Sequence, residues 1–466
     1  MDTPSPIQEN PATIQPATDL EQVSVPSQVQ SSSGLKRFIP LIFGGLVLLL
    51  IVIVGALLLL PRNQGANVVK QVSLTWWGVS EPTQALKDVV AEFQTKNPGV
   101  TINYAPQSLK DYRERLQSAF VRGQGPDIFE FHNSWVPMLV QSNIFAPLPS
   151  SVISPSEYDR IFYPVARQNL KLSQGYIGVP LYTDGLALFV NRKILSASGK
   201  AAPTTWEEVS QLAKIMTIRD ADGKIDRAGI ALGTSANIDH FSDILTLLIL
   251  QNGGNPAIPN DPDRYVADAL SFYSQFYRVD KVWDETLPNS TFAFATEKVA
   301  MIFAPASRIY EVRQINPNVD FAVFPVPQLP NSEVNYASYW VEGVAQSAKD
   351  TNVAWQFLKF ISETPQLEKL YAGDVQEKLL GRPYPRTDMA SQMRDDLFLG
   401  AFVKQAPTAK SWYMASRTFD NGLNDQMTKV YSDAISALNT GRSTQEVIPT
   451  LTTGVNDAMM RFSITP

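Results

Sequence analysis

Apolar and polar positions divide the chain into three stretches. Residues 1–33 are rich in Pro, Ser, Gln and Thr, a composition that cannot bury enough apolar surface to offset its ordering entropy. The segment up to residue 38 is therefore expected to be a disordered cytoplasmic tail. From Ile39 to Leu60 no charge interrupts 22 residues, which at ~1.5 Å per residue span the ~30 Å hydrocarbon core of a bilayer. A cleaved signal peptide has an apolar core of only ~7–15 residues followed by small residues at the cleavage site. This run is longer and lacks that pair, so a retained transmembrane anchor is expected. Residues 61–70 then form a linker to an extracytoplasmic part, 71–466.

Beyond the linker, the pattern switches between period 2 and period 3.6. Val72-Ser-Leu-Thr-Trp76 alternates as a strand does, and Trp77-Gly78 ends it. Glu81-Pro82-Thr83 opens a helix with Leu86, Val89, Val90 and Phe93 on one face, and Asn97-Pro98-Gly99 stops it. Val100 to Tyr104 forms the next strand, Tyr112, Leu116, Ala119 and Phe120 mark a second helix, and Pro126 to Phe129 form a third strand. This β-α-β-α-β order predicts a parallel sheet with helices on both faces. Farther on, Thr204-Thr205-Trp206-Glu207-Glu208 reads as a capped helix start, continued by Val209, Leu212, Ala213 and Met216. Ala354, Trp355, Leu358 and Ile361 repeat the helical pattern within Asn352 to Glu363.

Composition narrows the chemistry. With 466 residues the chain is longer than one hydrophobic core usually serves. A net charge of −6 without any basic block argues against a nucleic-acid partner. The absence of cysteine removes disulfides, thiolate metal sites and thiol nucleophiles. The two histidines, His132 and His240, are too far apart for an HExxH metal motif. Asp220-Ala-Asp222-Gly223-Lys-Ile-Asp226 has the letters of half a calcium loop, but its glycine is fourth and Ala231 stands at the twelfth position. It is read as a tight turn, and no metal or other cofactor is expected.

From about Gln71 onward the chain resembles the family 1 extracellular solute-binding proteins, the receptors that feed ABC importers and that include the maltose-type periplasmic binding proteins. Four stretches carry the resemblance: LTWWG at Leu74 to Gly78 with AEFQTKNPGV after it; GQGPDIFEFHNSW at Gly123 to Trp135; GYIGVPLYTDGLALFVNRKIL at Gly175 to Leu195; and FATEKVAMIF, with ASYWVEGVAQSAK and AWQFLKFISE downstream. The resemblance implies an α/β fold of two lobes, with solute in the cleft and hinge closure around it. It implies one crossing near Val179-Pro180-Leu181, a first lobe of about 71–179 and 297–325, and a second of about 182–296 and 330–466. It also implies permease subunits as partners, a carbohydrate ligand, a monomeric receptor and no catalysis. The anchor departs from the family, whose members are usually secreted or lipidated.

Open parallel sheets bind ligands at the carboxyl ends of their strands. Trp77 follows the first strand and Asn133, Ser134 and Trp135 follow the third, all candidates for the cleft. Aromatic faces beside hydrogen-bonding groups suit sugars. Trp76 shares a face with Leu74 and Val72 and reads as core, whereas Trp77 is open to either assignment. His132 reads as a strand-end residue hydrogen-bonded to backbone. Asp184 matches a ligand-binding position of the family, with Tyr182 either its companion or a shield over the hinge. Tyr339, Trp340 and Glu342 are expected to approach from the second lobe, a Trp beside a carboxylate being able to stack on a ring and accept hydroxyl protons; Trp340 packing between helix and sheet is the alternative. Glu81, Arg382 and Trp412 complete the candidate set, and Arg382 and Arg386 equally fit pairing with surface acids. An anchored glycan hydrolase or lyase is the competing function, since Asp184 and Glu342 would supply its carboxylate pair if they met across the cleft.

Overall fold

The computed structural model describes residues 49–52, 71–80 and 82–464. The expected tail, the linker, most of the anchor and Glu81 lie outside the described residues. Within the expected anchor, Leu49 to Val52 are helical and exposed. Among the described residues no helix is long and apolar enough to cross a membrane. Residues 69–466 form one compact unit.

That unit begins as the pattern predicts. Strand β1 (Val72–Gly78) buries Val72, Leu74, Trp76 and Gly78 on one face. Helix α1 (Gln84–Lys96) starts where the Thr83 hydroxyl accepts the Leu86 N–H at 3.2 Å, and it buries Val89, Val90 and Phe93. Strand β2 (Val100–Pro106), helix α2 (Tyr112–Val121) and strand β3 (Ile128–His132) follow. The chain then crosses to strand β4 (Ala187–Asn191), helix α3 (Trp206–Met216), and strands β5 (Ile218–Arg219) and β6 (Ile225–Ile230). A capping box between Thr205 and Glu208 starts α3, as its sequence suggests. Helices α4 (Phe241–Gln251) and α5 (Tyr265–Arg278) lead to strand β7 (Val299–Ala304), helix α6 (Ser307–Ile315) and strand β8 (Phe321–Phe324). After the short strand β9 (Asn335–Tyr336) comes β10 (Trp340–Val344), then helices α7 (Thr351–Ile361) and α8 (Thr364–Lys378). Strand β11 (Ala409–Lys410) and helices α9 (Leu423–Asn439) and α10 (Thr444–Arg461) end the chain.

Two sheets organise these elements. The first has strand order β10-β3-β1-β2, with β1 parallel to both β2 and β3 and β10 antiparallel to β3. The second runs β8-β4-β7-β6-β5. This corrects the expected division of the chain between lobes. Residues of 297–325 belong to the second sheet, because β7 and β8 pair with β4. Trp340 and Glu342 belong to the first, because β10 pairs with β3. The amphipathic pattern identifies a strand but carries no record of its partner, which is chosen by packing between distant segments.

The crossing expected at Val179-Pro180-Leu181 is present. Val179 still pairs with Glu342 of the first sheet, and Ala187 already pairs with Ala304 of the second. The return passage lies beside it: Leu186 donates its N–H to the Tyr336 carbonyl at 3.1 Å, and Ser338 to the Asp184 carbonyl at 3.0 Å. Gly185 permits this approach, since a Cβ there would lie 2.0 Å from the Tyr336 carbonyl oxygen. A larger residue would force the two crossing strands apart.

Candidate functional site

In the first sheet the strand order turns at β1, with β2 on one side and β3 on the other. A cavity of about 340 Å³ lies at the carboxyl ends of these strands, bounded by residues of the first sheet, of segments that follow strands of the second, and of the crossing. His132 and Trp340 of the first sheet line it together with Val79 and Ser80 just after β1; Pro305 after β7, Ser307 and Arg308 at the start of α6, and His240 and Asp243 at the start of α4 line it on the other side. Tyr182, Asp184 and Ser338 line it from the crossing strands, and Arg382 and the Ser416-Arg417-Thr418 segment close the remaining sides.

The candidates from sequence divide sharply. Trp340, Tyr182, Asp184 and Arg382 line this cavity. Trp340 is half-buried and meets Trp135 and His132 edge to face, with ring centroids 5.0 and 5.3 Å away. Trp135 is fully buried behind it and does not line the cavity. Asn133 is spent on the strand pairing, accepting the Tyr339 N–H at 3.0 Å and donating to Asn169 at 3.1 Å. Tyr339 is buried, its hydroxyl donating to Asn169. Trp77 and Trp412 are half-buried against the core and outside the lining. Trp76 is buried, as its alternation implies.

Glu342 occupies a second, smaller recess of about 40 Å³, with Trp76, Tyr104 and Glu130. Its carboxylate accepts the Trp76 indole N–H at 2.7 Å, and it stands directly opposite Glu130 in the β10–β3 register. Burial first, then the facing Glu130 charge, hold the Glu342 carboxyl well above the usual carboxylate range. Glu130 accepts the Val79 N–H at 2.7 Å and the Tyr182 hydroxyl at 3.4 Å. Tyr182 and Arg382 line both recesses, and the Arg382 guanidinium lies over the Tyr182 ring, 4.2 Å from its centroid. Arg382 donates through Nε to Asp374 at 2.8 Å, so its acid partner is a buried carboxylate beside the smaller recess and not the surface acid of the alternative reading.

Asp184 reaches the cavity, but its carboxylate is engaged. It accepts the N–H groups of Ala306 and Gly185, both at 2.8 Å, and of Ser307 at 3.4 Å, tying the crossing to the start of α6. Burial pushes its carboxyl up to about 7 against those donors and the Arg308 charge. A group that binds its proton more tightly when folded stabilises the protein at low pH and loses that contribution as pH rises, here between about 4 and 7. Denaturant unfolding of Asp184→Asn, whose amide oxygen still accepts, should show a shallower fall in stability over this range than the wild type. Identical slopes would remove Asp184 as the titrating group.

Sequence reasoning missed His240, Asp243, Arg308 and the Ser416-Arg417 pair. Arg308 donates through Nε to His240 Nε2 at 3.1 Å, and His240 Nδ1 lies 2.6 Å from the Ser416 hydroxyl. Asp243 accepts from both the N–H and the hydroxyl of Ser416, at 2.7 and 2.6 Å. No local motif announces a cluster gathered from segments 68 to 176 residues apart. His132 is bonded to backbone as read, its Nδ1 accepting the Ser134 N–H at 3.3 Å; the ring also bridges the Ser134 and Ser338 hydroxyls at 2.6 and 3.0 Å, and burial lowers it to about 3, so it is neutral. The Asp220 loop is a turn: its carboxylate accepts the N–H groups of Asp222 and Lys224. Among the described residues no acid or histidine cluster suits a metal.

Two α/β sheets joined by paired crossings, with a cavity at the strand ends between them, define a two-lobed binding-protein fold. The family model for bacterial extracellular solute-binding proteins matches residues 77–367, well over half the chain, and the protein belongs to that family. Among curated relatives, a maltotriose-binding protein of Pyrococcus abyssi is 21% identical over 312 residues, 64% of each chain. The chain spans between 37% and 67% of the length of the curated relatives it matches. Among solved structures, the cyclic α-maltosyl-1,6-maltose binding protein of Arthrobacter globiformis superposes with a TM-score of 0.68 at 16% identity, covering 84% of this chain and 100% of that one. A cyclo/maltodextrin-binding protein complexed with maltotetraose also gives 0.68, at 15% identity, over 84% and 98%.

Proposed function

We propose that the protein is the membrane-tethered, extracytoplasmic receptor of an ABC importer, taking a carbohydrate into the cavity between its lobes and closing around it. The observation that carries this reading is the cavity itself, placed at the carboxyl ends of β1 and β3 and lined by segments that follow strands of both sheets and by their crossings. Solute that touches both walls favours the shut arrangement, and the shut shape is what permease subunits recognise. The sugar-binding relatives support a saccharide as the solute. Trp340 offers a ring face, and the serines and histidine around it offer donors and acceptors. The apolar run from Ile39 to Leu60 supports tethering of a single receptor domain.

The enzymatic alternative loses its carboxylate pair. Asp184 and Glu342 line different recesses, and each is already committed, to backbone N–H groups and to Trp76. A thermal-shift screen of the full chain against sugars tests the receptor reading, because a ligand that binds only the folded state raises the melting point. A binding sugar should also compact the particle in small-angle scattering. No shift with any saccharide, or product released from one, would overturn the reading.

A further inference from the structure

The charged groups of the cavity are distributed unevenly. Three guanidinium groups line it: Arg308 from α6, Arg382 from the segment after α8, and Arg417 before α9. Each has an acidic partner, Glu311, Asp374 and Asp239 respectively, and none of those three acids lines the cavity. The two carboxylates that do line it, Asp184 and Asp243, are committed as acceptors, one to three backbone N–H groups and the other to Ser416. Ring faces are scarce by comparison. Trp340 and Tyr182 are the aromatic side chains of the lining, and Arg382 already covers Tyr182.

Arg308 is, moreover, held from behind. A guanidinium has no acceptor, so His240 Nε2 must take the Arg308 Nε–H, which places the imidazole proton on Nδ1. That proton points to the Ser416 hydroxyl, which donates in turn to Asp243. His240 and Asp243 are each only 3% exposed. Burying this chain of polar groups is costly unless every member is satisfied, and here the chain runs along the cavity wall to the Arg308 guanidinium. It fixes the Arg308 fork by its Nε edge.

We infer that the solute is an anionic saccharide, its carboxylate or phosphate read by Arg308 and Arg417 while Trp340 takes a ring face, with His240 a positioning residue for Arg308. Planar guanidinium forks match both oxyanions bidentately, and such charge-assisted bonds are about twice as strong as neutral ones. This inference rests on the carbohydrate-receptor reading above and names the class of sugar.

Calorimetry on the purified full chain tests it with four probes: maltotriose and mannobiose as neutral sugars, digalacturonate as the carboxylate arm and glucose 6-phosphate as the phosphate arm. One acidic probe should bind at least about tenfold more tightly than either neutral sugar. Arg308→Gln should weaken the acidic probe about tenfold or more, a larger loss than for either neutral sugar, and Arg417→Gln, at a more exposed site, should act in the same direction. His240→Ala should weaken the acidic probe selectively, and His240→Gln, whose amide oxygen can accept the Arg308 N–H, should restore part of the loss. Preference for a neutral sugar, or equal losses for both classes in the arginine variants, would overturn the anionic assignment and leave the receptor reading intact. Binding of no probe of either class would overturn both.

Discussion

Under the proposed receptor function, Trp340→Ala should weaken saccharide binding about thirtyfold or more, the usual cost of truncating a buried aromatic anchor at about 2 kcal/mol. Trp340 begins β10, lines the cavity, and is braced edge to face by Trp135 and His132. Its ring is therefore oriented before solute arrives, so little rotamer entropy is lost on binding. A small cost in stability is expected as well, because Trp340 is half-buried, Trp135 keeps its ring contact with Tyr112, and His132 keeps the Ser134 and Ser338 hydroxyls. Calorimetry measures the affinity and denaturant unfolding the stability. Unchanged affinity in a well-folded variant would remove Trp340 from the binding surface. A loss of about 3–5 kcal/mol in stability would show that it serves as core instead.

This residue marks where sequence reasoning succeeds and where it stops. The unit β1-α1-β2-α2-β3 is legible because each element is declared locally: Val72, Leu74 and Trp76 by alternation, Val89, Val90 and Phe93 by helical spacing, Thr83 by its cap. The crossing at Val179-Pro180-Leu181 is legible through the family resemblance that the stretch from Gly175 to Leu195 carries. The partner of β10 is not, since Trp340 and its register mate His132 are about two hundred residues apart and nothing in either segment names the other. Hence Trp340 belongs to the candidate site while its expected lobe is wrong. Asp184 teaches a different limit: its position near the cavity is readable, but its use by three N–H groups depends on where α6 begins. Arg308 carries no local signal at all. Its meaning comes from His240 and Ser416, which only the folded chain brings to it.

Replacing Glu342 by Gln should stabilise the protein at high pH and leave it nearly unchanged at low pH. Glu342 and Glu130 face one another across β10 and β3, 5% and 4% exposed, so both cannot ionise without placing like charges in a poorly solvated recess. Glu342 is the one that keeps its proton, held well above the usual range by burial and by the Glu130 charge. The folded state thus binds a proton that the unfolded chain releases in the ordinary carboxylate range, and stability falls as pH rises above it. A glutamine has the same shape, its amide oxygen still accepts the Trp76 indole N–H seen at 2.7 Å, and it has no proton to lose. At pH 8 Glu342→Gln should therefore be more stable than the wild type by about 1–3 kcal/mol, the scale of a buried polar group freed from an unfavourable partner. Below about pH 4, where the unfolded carboxyl is itself protonated, the two should coincide. Glu130→Gln should flatten the same slope by removing the facing charge, whereas Glu342→Ala should destabilise at every pH, because Trp76 loses its acceptor. Parallel pH profiles for wild type and Glu342→Gln would show that the proton does not reside on Glu342. The measurement bears on binding too, because Tyr182 and Arg382 line both this recess and the solute cavity, and Tyr182 donates to Glu130. A charge gained beneath them changes the wall that the solute meets.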